Sequence, residues 1–408
     1  MALIVQKYGG SSVADAVCIK RVVENISKYH DEGNQVIVVV SAMGDSTDDL
    51  ITLAKQLNEK PSPREMDMLL STGEQVSIAL LSIALDSAGK SAVSLTGSQV
   101  GILTTNVHSK ARIRKVNTQR IQKELDQNKI VIVAGFQGKT EEDEITTLGR
   151  GGSDTTAVAL AAALKADMCE IYTDVTGVFT ADPRVVSDAQ KLNHISYDEM
   201  LELASLGARV LHVRSVELAK LYNVPMCVRS SYVNEEGTIV VSKDSLEKDV
   251  VVTGVAHDLN VAKISIFDVP DQPGIASNIF TKLAKENINV DMIVQSSMRD
   301  KINDISMTVP EEEMEKAVRT IKSVSKEFDD ATIEADNDVA KVSIVGAGMI
   351  SSPGVAAKMF HVLADNKINI DMISTSEIKV SCIVKRANAI KALQVLHDAF
   401  DLVNINNN

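Results

Sequence analysis

Residues Gly149–Ala166 read GRGGSDTTAVALAAALKA, three glycines in a turn that feeds a helix of small apolar residues. Ile130–Phe136 before it is a run suited to a buried strand, and Glu170–Thr173 after it is a second strand. Strand, glycine turn, helix, strand is the repeating unit of a parallel sheet covered by helices. Working outward, the same alternation returns. Leu3–Tyr8 is a short β run that breaks at Gly9-Gly10, followed by a helical stretch from about Ser12 to Tyr29. Val36–Ser41 (VIVVVS) is apolar on both faces, as a strand inside a parallel sheet must be. Met66–Ala88 reads as helix, Ala92–Leu95 as strand and Val116–Gln127 as helix. The first half of the chain is therefore expected to be an α/β domain of three αβα layers.

Three of its turns carry chemistry. Leu148-Gly149-Arg150-Gly151-Gly152-Ser153-Asp154 places glycines before a helix N-terminus, with Ser153 or Asp154 as the cap and Arg150 able to clamp a carboxylate or phosphate in a two-pronged fork. No Gly-Lys-Ser/Thr follows at Walker A spacing, and the run is not a dinucleotide GxGxxG fingerprint. Lys7-Tyr8-Gly9-Gly10-Ser11-Ser12 ends a strand on a lysine, allows close backbone approach at the glycines and offers Ser12 as a helix cap. Backbone N–H groups at such a helix start bind anions, and Lys7 adds a full charge. Thr173-Asp174 through Phe179-Thr180-Ala181-Asp182-Pro183-Arg184 follows a strand and is dense in turn formers, where an arginine could meet a polyphosphate. Open parallel sheets bind ligands at such strand ends. The residue types suit phosphoryl transfer, in which positioning and charge neutralisation dominate. Weaker signals are Ser41, Thr47, Asp48 and Glu74; a lone glutamate on a helix is usually solvated.

Composition bounds the rest. The 408 residues suggest two or three domains. The chain is 45% hydrophobic and 24% charged, which excludes wholesale disorder. Aromatics are 3%, so the cores are aliphatic. No apolar run approaches a membrane span, and the N-terminal apolar stretch is too short for a signal peptide. Four cysteines without a CxxC pair and seven histidines without ligand spacing predict neither a disulfide framework nor a metal site, and fit a reducing cytoplasm. A net charge of −13 argues against nucleic acid as a partner.

The second half contains a repeat. VAKISIFDVPDQPGIASNIFTKLAKENINVDMI from Val261 returns as VAKVSIVGAGMISSPGVAAKMFHVLADNKINIDMI from Val339, a period of about 80 residues. Pro273-Gly274 aligns with Pro353-Gly354, and Asn289 and Asp291 with Asn369 and Asp371. Each copy runs strand, Pro-Gly turn, amphipathic helix, Asn-x-Asp turn, strand. The boundary between halves falls in the polar stretch near residues 233–258.

The segments KYGGSSV, VVSAMGDSTD, STGEQVS, TTLGRGGSDTTAVALAAAL and YTDVTGVFTADPR resemble those of the aspartate kinase family in the amino acid kinase superfamily. The repeat resembles its tandem ACT domains, ferredoxin-like β-α-β-β-α-β units. The resemblance implies a catalytic domain over residues 1–245 and ACT domains over 246–335 and 336–408. It implies transfer of the ATP γ-phosphoryl group to the β-carboxylate of L-aspartate, the first step toward lysine, threonine and methionine, with Mg2+ accompanying ATP. Residue by residue, Lys7 and Asp154 match the catalytic pair. Ser41, Thr47, Glu74, Arg150, Gly151, Gly152 and Ser153 match the aspartate side. Lys7, Tyr8, Gly9, Gly10, Thr173, Asp174, Phe179, Thr180, Asp182 and Arg184 match the nucleotide side. Val213 departs from the family, where many relatives carry proline.

In the repeats the resemblance implies an effector site for lysine, threonine or both. In copy one it takes Asp271, Gln272, Pro273, Gly274, Ile275, Ala276, Asn289, Val290, Asp291 and Gln295. In copy two it takes Pro353, Gly354, Val355, Asn369, Ile370, Asp371, Ser376 and Glu377, with Ser352 and Thr375 nearby. The family pattern further implies a homo-oligomer, or a hetero-oligomer with ACT-only subunits. Two competing readings remain: a superfamily relative acting on glutamate, acetylglutamate or UMP, and a catalytically dead amino-acid sensor. The ACT tandem with the Thr47 and Glu74 segments opposes the first. Intact Lys7, Arg150, Asp154 and Asp174 oppose the second.

Overall fold

The computed structural model describes residues 1–206, 210–242, 250–296, 302–325 and 331–405. The chain forms two compact units: Met1–Val178 with Lys191–Ala204 and Arg209–Glu247, and Phe179–Gln190 with Ser205–Ala208 and Lys248–Asn408. The domain boundary expected at residues 245 and 246 lies outside the described residues.

In the first unit the strands are β1 (Leu3–Tyr8), β2 (Gln35–Val40), β3 (Ala92–Leu95), β4 (Ile102–Thr104), β5 (Ile113–Val116), β6 (Ile130–Ala134), β7 (Gln137–Lys139), β8 (Ile145–Thr147), β9 (Met168–Thr173), β10 (His194–Ser196), β11 (Met226–Ser230) and β12 (Thr238–Val241). Its helices are α1 (Ala16–Asp31), α2 (Ser46–Leu57), α3 (Pro63–Ser87), α4 (Gln119–Leu125), α5 (Gly152–Leu164), α6 (Tyr197–Ser205) and α7 (Val213–Tyr222). Eight strands form one sheet in the order β10-β12-β11-β9-β1-β2-β6-β3. Among its described pairings only β11–β12 is antiparallel. β5-β4-β7-β8 form a small second sheet that sequence reading did not resolve, because its three- and four-residue strands are too short for a periodic signal.

The valine-rich β2 is buried along Val36–Val40, as a strand covered on both faces should be. On one face the core joins Ile19, Val22, Val23 and Ile26 of α1 to Ile78, Leu81 and Leu85 of α3. Beneath α1 the apolar layer is interrupted by a buried polar knot on Glu170. Gln6 Nε2 (3.0 Å), Tyr29 Oη (2.8 Å), Tyr172 Oη (3.0 Å) and Arg229 Nη1 (3.0 Å) all donate to its carboxylate. That pins β1, β9 and β11 in one register. Tyr8 and Tyr172 stack above it with ring centres 4.6 Å apart.

Two local expectations need correction. Residues 10–13 form a short 3-10 turn, and α1 starts only at Ala16, capped by Asp15 through the Cys18 N–H at 2.8 Å. Ser12 caps nothing; its hydroxyl lies 2.9 Å from that of Ser231. α3 is long and apolar enough, by length and composition, to cross a membrane, although polar residues interrupt its sequence. It carries Asp67, Ser71, Glu74 and Ser77 on the face it buries.

The second unit has strands β13 (Gly254–Asp258), β14 (Ala262–Pro270), β15 (Ile293–Gln295), β16 (Ile302–Val309), β17 (Thr332–Asp336), β18 (Val339–Val345), β19 (Met372–Thr375) and β20 (Lys379–Lys385). Its helices are α8 (Ile275–Lys285), α9 (Met314–Ser325), α10 (Val355–Asp365) and α11 (Ala389–Ala399). Copy one folds as a sheet β15-β16-β14-β17 covered by α8 and α9. Copy two makes β13-β18-β20-β19. Its fourth strand, β13, precedes copy one in the chain and pairs antiparallel with β18, Gly254 opposite Val345. The second sheet is thus assembled from both sides of the first copy. Val261, Met292, Val339, Met372 and Ile383 form a buried cluster shared by the two copies.

One close approach governs how α5 lies on the large sheet. A Cβ placed on Gly135, just past β6, would fall 2.6 Å from Ser153 Oγ and 3.0 Å from Ser153 Cα. Gly135→Ala should therefore push the start of α5 off the sheet and lower stability by about 1–3 kcal/mol. A urea-unfolding midpoint equal to the parent's would show that the contact is not limiting.

Candidate active site

The parallel register decides which turns meet. Tyr8 lies opposite Val40 and Tyr172, and Val40 opposite Ala134. The next residues, Gly9, Ser41, Gly135 and Thr173, therefore emerge side by side at one edge of the sheet. The first two turns are stitched together: Ser41 N–H donates to Tyr8 O and Gly44 N–H to Gly10 O, both at 3.1 Å. The Tyr8 side chain points away into the knot beside Glu170, so only its backbone belongs to this turn.

Lys7 is the penultimate residue of β1, and its Nζ sits 2.8 Å from Asp154 Oδ1, with both side chains 12% exposed. Asp154 is in the first turn of α5, where a carboxylate also complements the helix dipole. Neither Ser153 nor Asp154 caps that helix. The cap is Gly151 in the left-handed region at φ 67°, without a side-chain bond. A Cβ there would also lie 2.1 Å from the His212 ring, so glycine is required twice over. The Gly152 N–H turns back to Gly149 O at 3.0 Å, and no side chain caps the N–H groups that follow it.

Glu74 is where the solvated-helix expectation fails. It is 3% exposed on the inner face of α3, with Oε1 accepting the Ala42 N–H at 3.2 Å. Oε2 has no partner among the described residues. Burial pushes its carboxyl up to about 7, against a smaller downward pull from the backbone N–H groups it accepts. A buried carboxylate oxygen left open beside the Ser41–Gly44 turn suits a cationic ligand group. Arg150 lies exposed at the end of its loop, and Thr47 half-buried at the start of α2.

Thr173 ends β9 and Asp174 follows it, the Thr173 hydroxyl donating to the Asp174 carboxylate at 3.0 Å. Phe179, Thr180, Asp182 and Arg184 belong to the second unit. There Arg184 binds Asp182 through Nε and Nη2, at 3.0 and 2.8 Å, which holds the Asp182 carboxyl below its usual range. Thr180 is fully buried, its hydroxyl 2.9 Å from both His397 Nε2 and the Gln190 N. In the repeats, Gly274 (φ 103°) and Gly354 (φ 94°) start α8 and α10 in matching left-handed conformations. Asp271 accepts from Asn303 at 2.9 Å, and Asp371 from Asn369 at 3.1 Å. Asp291 is bound by Lys341, a nearly buried residue of β18 in the other copy. Pro353, Gly354 and Val355 line a cavity of about 760 Å³ with Lys358 and Phe400.

Sequence reading missed the residues that brace the glycine loop. Arg214, next to the unusual Val213, donates to Leu148 O (2.6 Å) and Ala111 O (3.0 Å). Asp67 was missed too. The spacing 67, 71, 74, 78, 81, 85 on one face of α3 is the signal that would have marked both buried acids.

The sequence profile of the amino acid kinase family matches residues 2–230, and that of the ACT domain matches 267–324 and 342–400. Aspartokinase 2 of Bacillus subtilis is 54% identical over 402 residues, 98% of each chain. The aspartokinase of Mycolicibacterium smegmatis is 51% identical over 409 residues, 98% of this chain and 97% of its own. Among solved structures, E. coli aspartokinase III in complex with aspartate and ADP (R-state) is 26% identical. It covers 97% of this chain and 99% of its own, with a TM-score of 0.82. The same enzyme with lysine and aspartate (T-state) gives a TM-score of 0.77.

Two measurements test this geometry. Lys7→Ala should lower kcat by about 10²–10³ if its ammonium meets developing charge; near-parental turnover would remove it from the chemistry. Glu74 gives a pH signature. Its folded value of about 7 exceeds the ordinary 4.5, so the folded state holds the extra proton between them. Stability of the ligand-free protein should therefore fall as pH rises through that window. Thermal unfolding against pH should show the decline, and Glu74→Gln should flatten it.

Proposed function

The chain belongs to the amino acid kinase family and to its aspartokinases, and from that membership we propose that it transfers the γ-phosphoryl group of ATP to the β-carboxylate of L-aspartate, giving 4-phospho-L-aspartate. The observations that carry the reading are the Lys7–Asp154 pair beside Gly9 and the open oxygen of Glu74, whose other oxygen is held at Ala42. The acceptor carboxylate is ionised at neutral pH and needs no general base. The obstacle is bringing an anion up to a polyanion, and the residues answer it by charge and position. Lys7, fixed by Asp154, neutralises the transferring phosphoryl group, and the backbone N–H groups of Gly9, Gly10 and the start of α5 cradle it. Arg150 forks onto the substrate α-carboxylate, and Glu74 takes its ammonium. Ser41, Thr47 and Gly151–Ser153 complete the aspartate side. Thr173, Asp174, Phe179, Thr180, Asp182 and Arg184 are assigned to the nucleotide. Mg2+ would arrive with ATP, held mainly by phosphate oxygens and water. The turn suits that arrangement, because its acid Asp154 is bound to Lys7 rather than offered to an ion.

The same reading makes residues 1–245 catalytic and the two ACT copies, 246–335 and 336–408, a feedback sensor for lysine, threonine or both. The lysine complex of the E. coli relative supports it. Effector would be held at the Pro-Gly and Asn-x-Asp turns, from Asp271 to Gln295 in copy one and from Pro353 to Glu377 in copy two. Binding would act by favouring one arrangement of a two-state enzyme. The pathway is amino-acid biosynthesis from aspartate, the setting cytoplasmic, and the assembly a homo-oligomer or a complex with ACT-only subunits.

A coupled ADP-release assay with aspartate, glutamate and UMP, repeated with lysine and threonine singly and together, tests all of this. Turnover is expected with aspartate alone, inhibited by at least one of the two amino acids. Release driven by glutamate or UMP, or by none of the three, would overturn the substrate assignment. Full activity in the presence of both amino acids would overturn the sensor.

A further inference from the structure

Asp67 lies on α3 two turns before Glu74, on the same inward face, and is completely buried. Its carboxylate gathers groups from two separate segments. The Ser109 N–H lies 3.0 Å from Oδ1 and 3.1 Å from Oδ2. The Thr147 hydroxyl donates to Oδ1 at 2.5 Å, and His108 Nδ1 lies 2.8 Å from Oδ2. An acid is kept in an apolar interior only where such partners offset its desolvation. Both segments lead to one place. Thr147 ends β8 and is followed by Leu148, Gly149 and Arg150. Ser109, held in the left-handed region at φ 67°, puts its carbonyl 3.0 Å from where a Gly149 Cβ would sit. The Ala111 N–H donates to Thr147 O at 3.0 Å and closes the ring.

We propose that Asp67 is a positioning residue for Arg150: it meets no substrate, but ties the 108–111 loop and the end of β8 into the base from which the guanidinium fork projects. This rests on the reading of Arg150 as the clamp on the aspartate α-carboxylate. Arg150 itself is exposed at the end of its loop. A long exposed side chain delivers a two-pronged contact only from a fixed base, and a small displacement of that base is felt in binding.

The test compares three variants with the parent in the full-length enzyme. Asp67→Asn keeps the shape but offers one acceptor oxygen, and turns an NH2 toward a donor. Thr147→Val removes one hydroxyl at equal volume, and Thr147→Ser restores it. Asp67→Asn and Thr147→Val should raise the aspartate KM by about tenfold or more while the ATP KM stays within about twofold, and Thr147→Ser should behave like the parent. If Asp67→Asn fails to fold, the threonine pair decides. A folded Thr147→Val enzyme with parental aspartate KM, or a joint rise of both KM values, overturns the proposal. Arg150→Lys separates the two layers. If it leaves the aspartate KM unchanged, the clamp assignment fails and the positioning role falls with it. If it raises that KM while the Asp67 and Thr147 variants do not, only the positioning role fails.

Discussion

The ion pair between Lys7 and Asp154 ties the end of a central strand to the first turn of a helix packed across it. Neither charge is well solvated, and each would be costly there alone. Together they hold the lysine ammonium beside Gly9, 3.5 Å from where a Cβ would sit, at the sheet edge where the other turns emerge. The helix can reach that position only because glycine occupies 135 beneath it and 151 before it. Charge placement, helix docking and glycine positions are thus one constraint seen from three sides.

The same logic of satisfied buried charge recurs. Glu170 collects Gln6, Tyr29, Tyr172 and Arg229 and fixes the register of three strands. Asp67 collects a loop and a strand end. Glu74 differs: one oxygen stays open in a dry setting, which is why its carboxyl rises to about 7. Two acids on one helix face meet different partners: Asp67 meets three protein groups, whereas Glu74 accepts only backbone N–H groups and keeps Oε2 open. An open, perturbed carboxyl at the mouth of a turn is the mark of a binding group, and a saturated one is the mark of a brace.

In the second unit, the duplicated Pro-Gly turns adopt matching backbone conformations, yet the copies are not equivalent. Copy one completes its sheet with β17 from its own end, whereas copy two borrows β13 from before copy one. The borrowed strand covers an edge that would otherwise stand open. The Lys341–Asp291 pair and the shared apolar cluster link the copies further.

The sequence by itself determined the alternating α/β first half, the buried Val36–Val40 strand, the tandem repeat and the glycine turns that carry Lys7, Arg150 and Asp154. These are local patterns, written in periodicity and in residues with special backbone freedom. Tertiary structure alone decided the rest. It put Glu74 and Asp67 inside, since a helix's polar residue is buried or solvated according to which face meets the sheet. It started α1 at Ala16 rather than Ser12, and it gave α5 a left-handed glycine cap because the His212 ring fills the space beside it. It sent β13 to the second sheet, because strand pairing joins residues far apart in the chain and no local pattern encodes the partner.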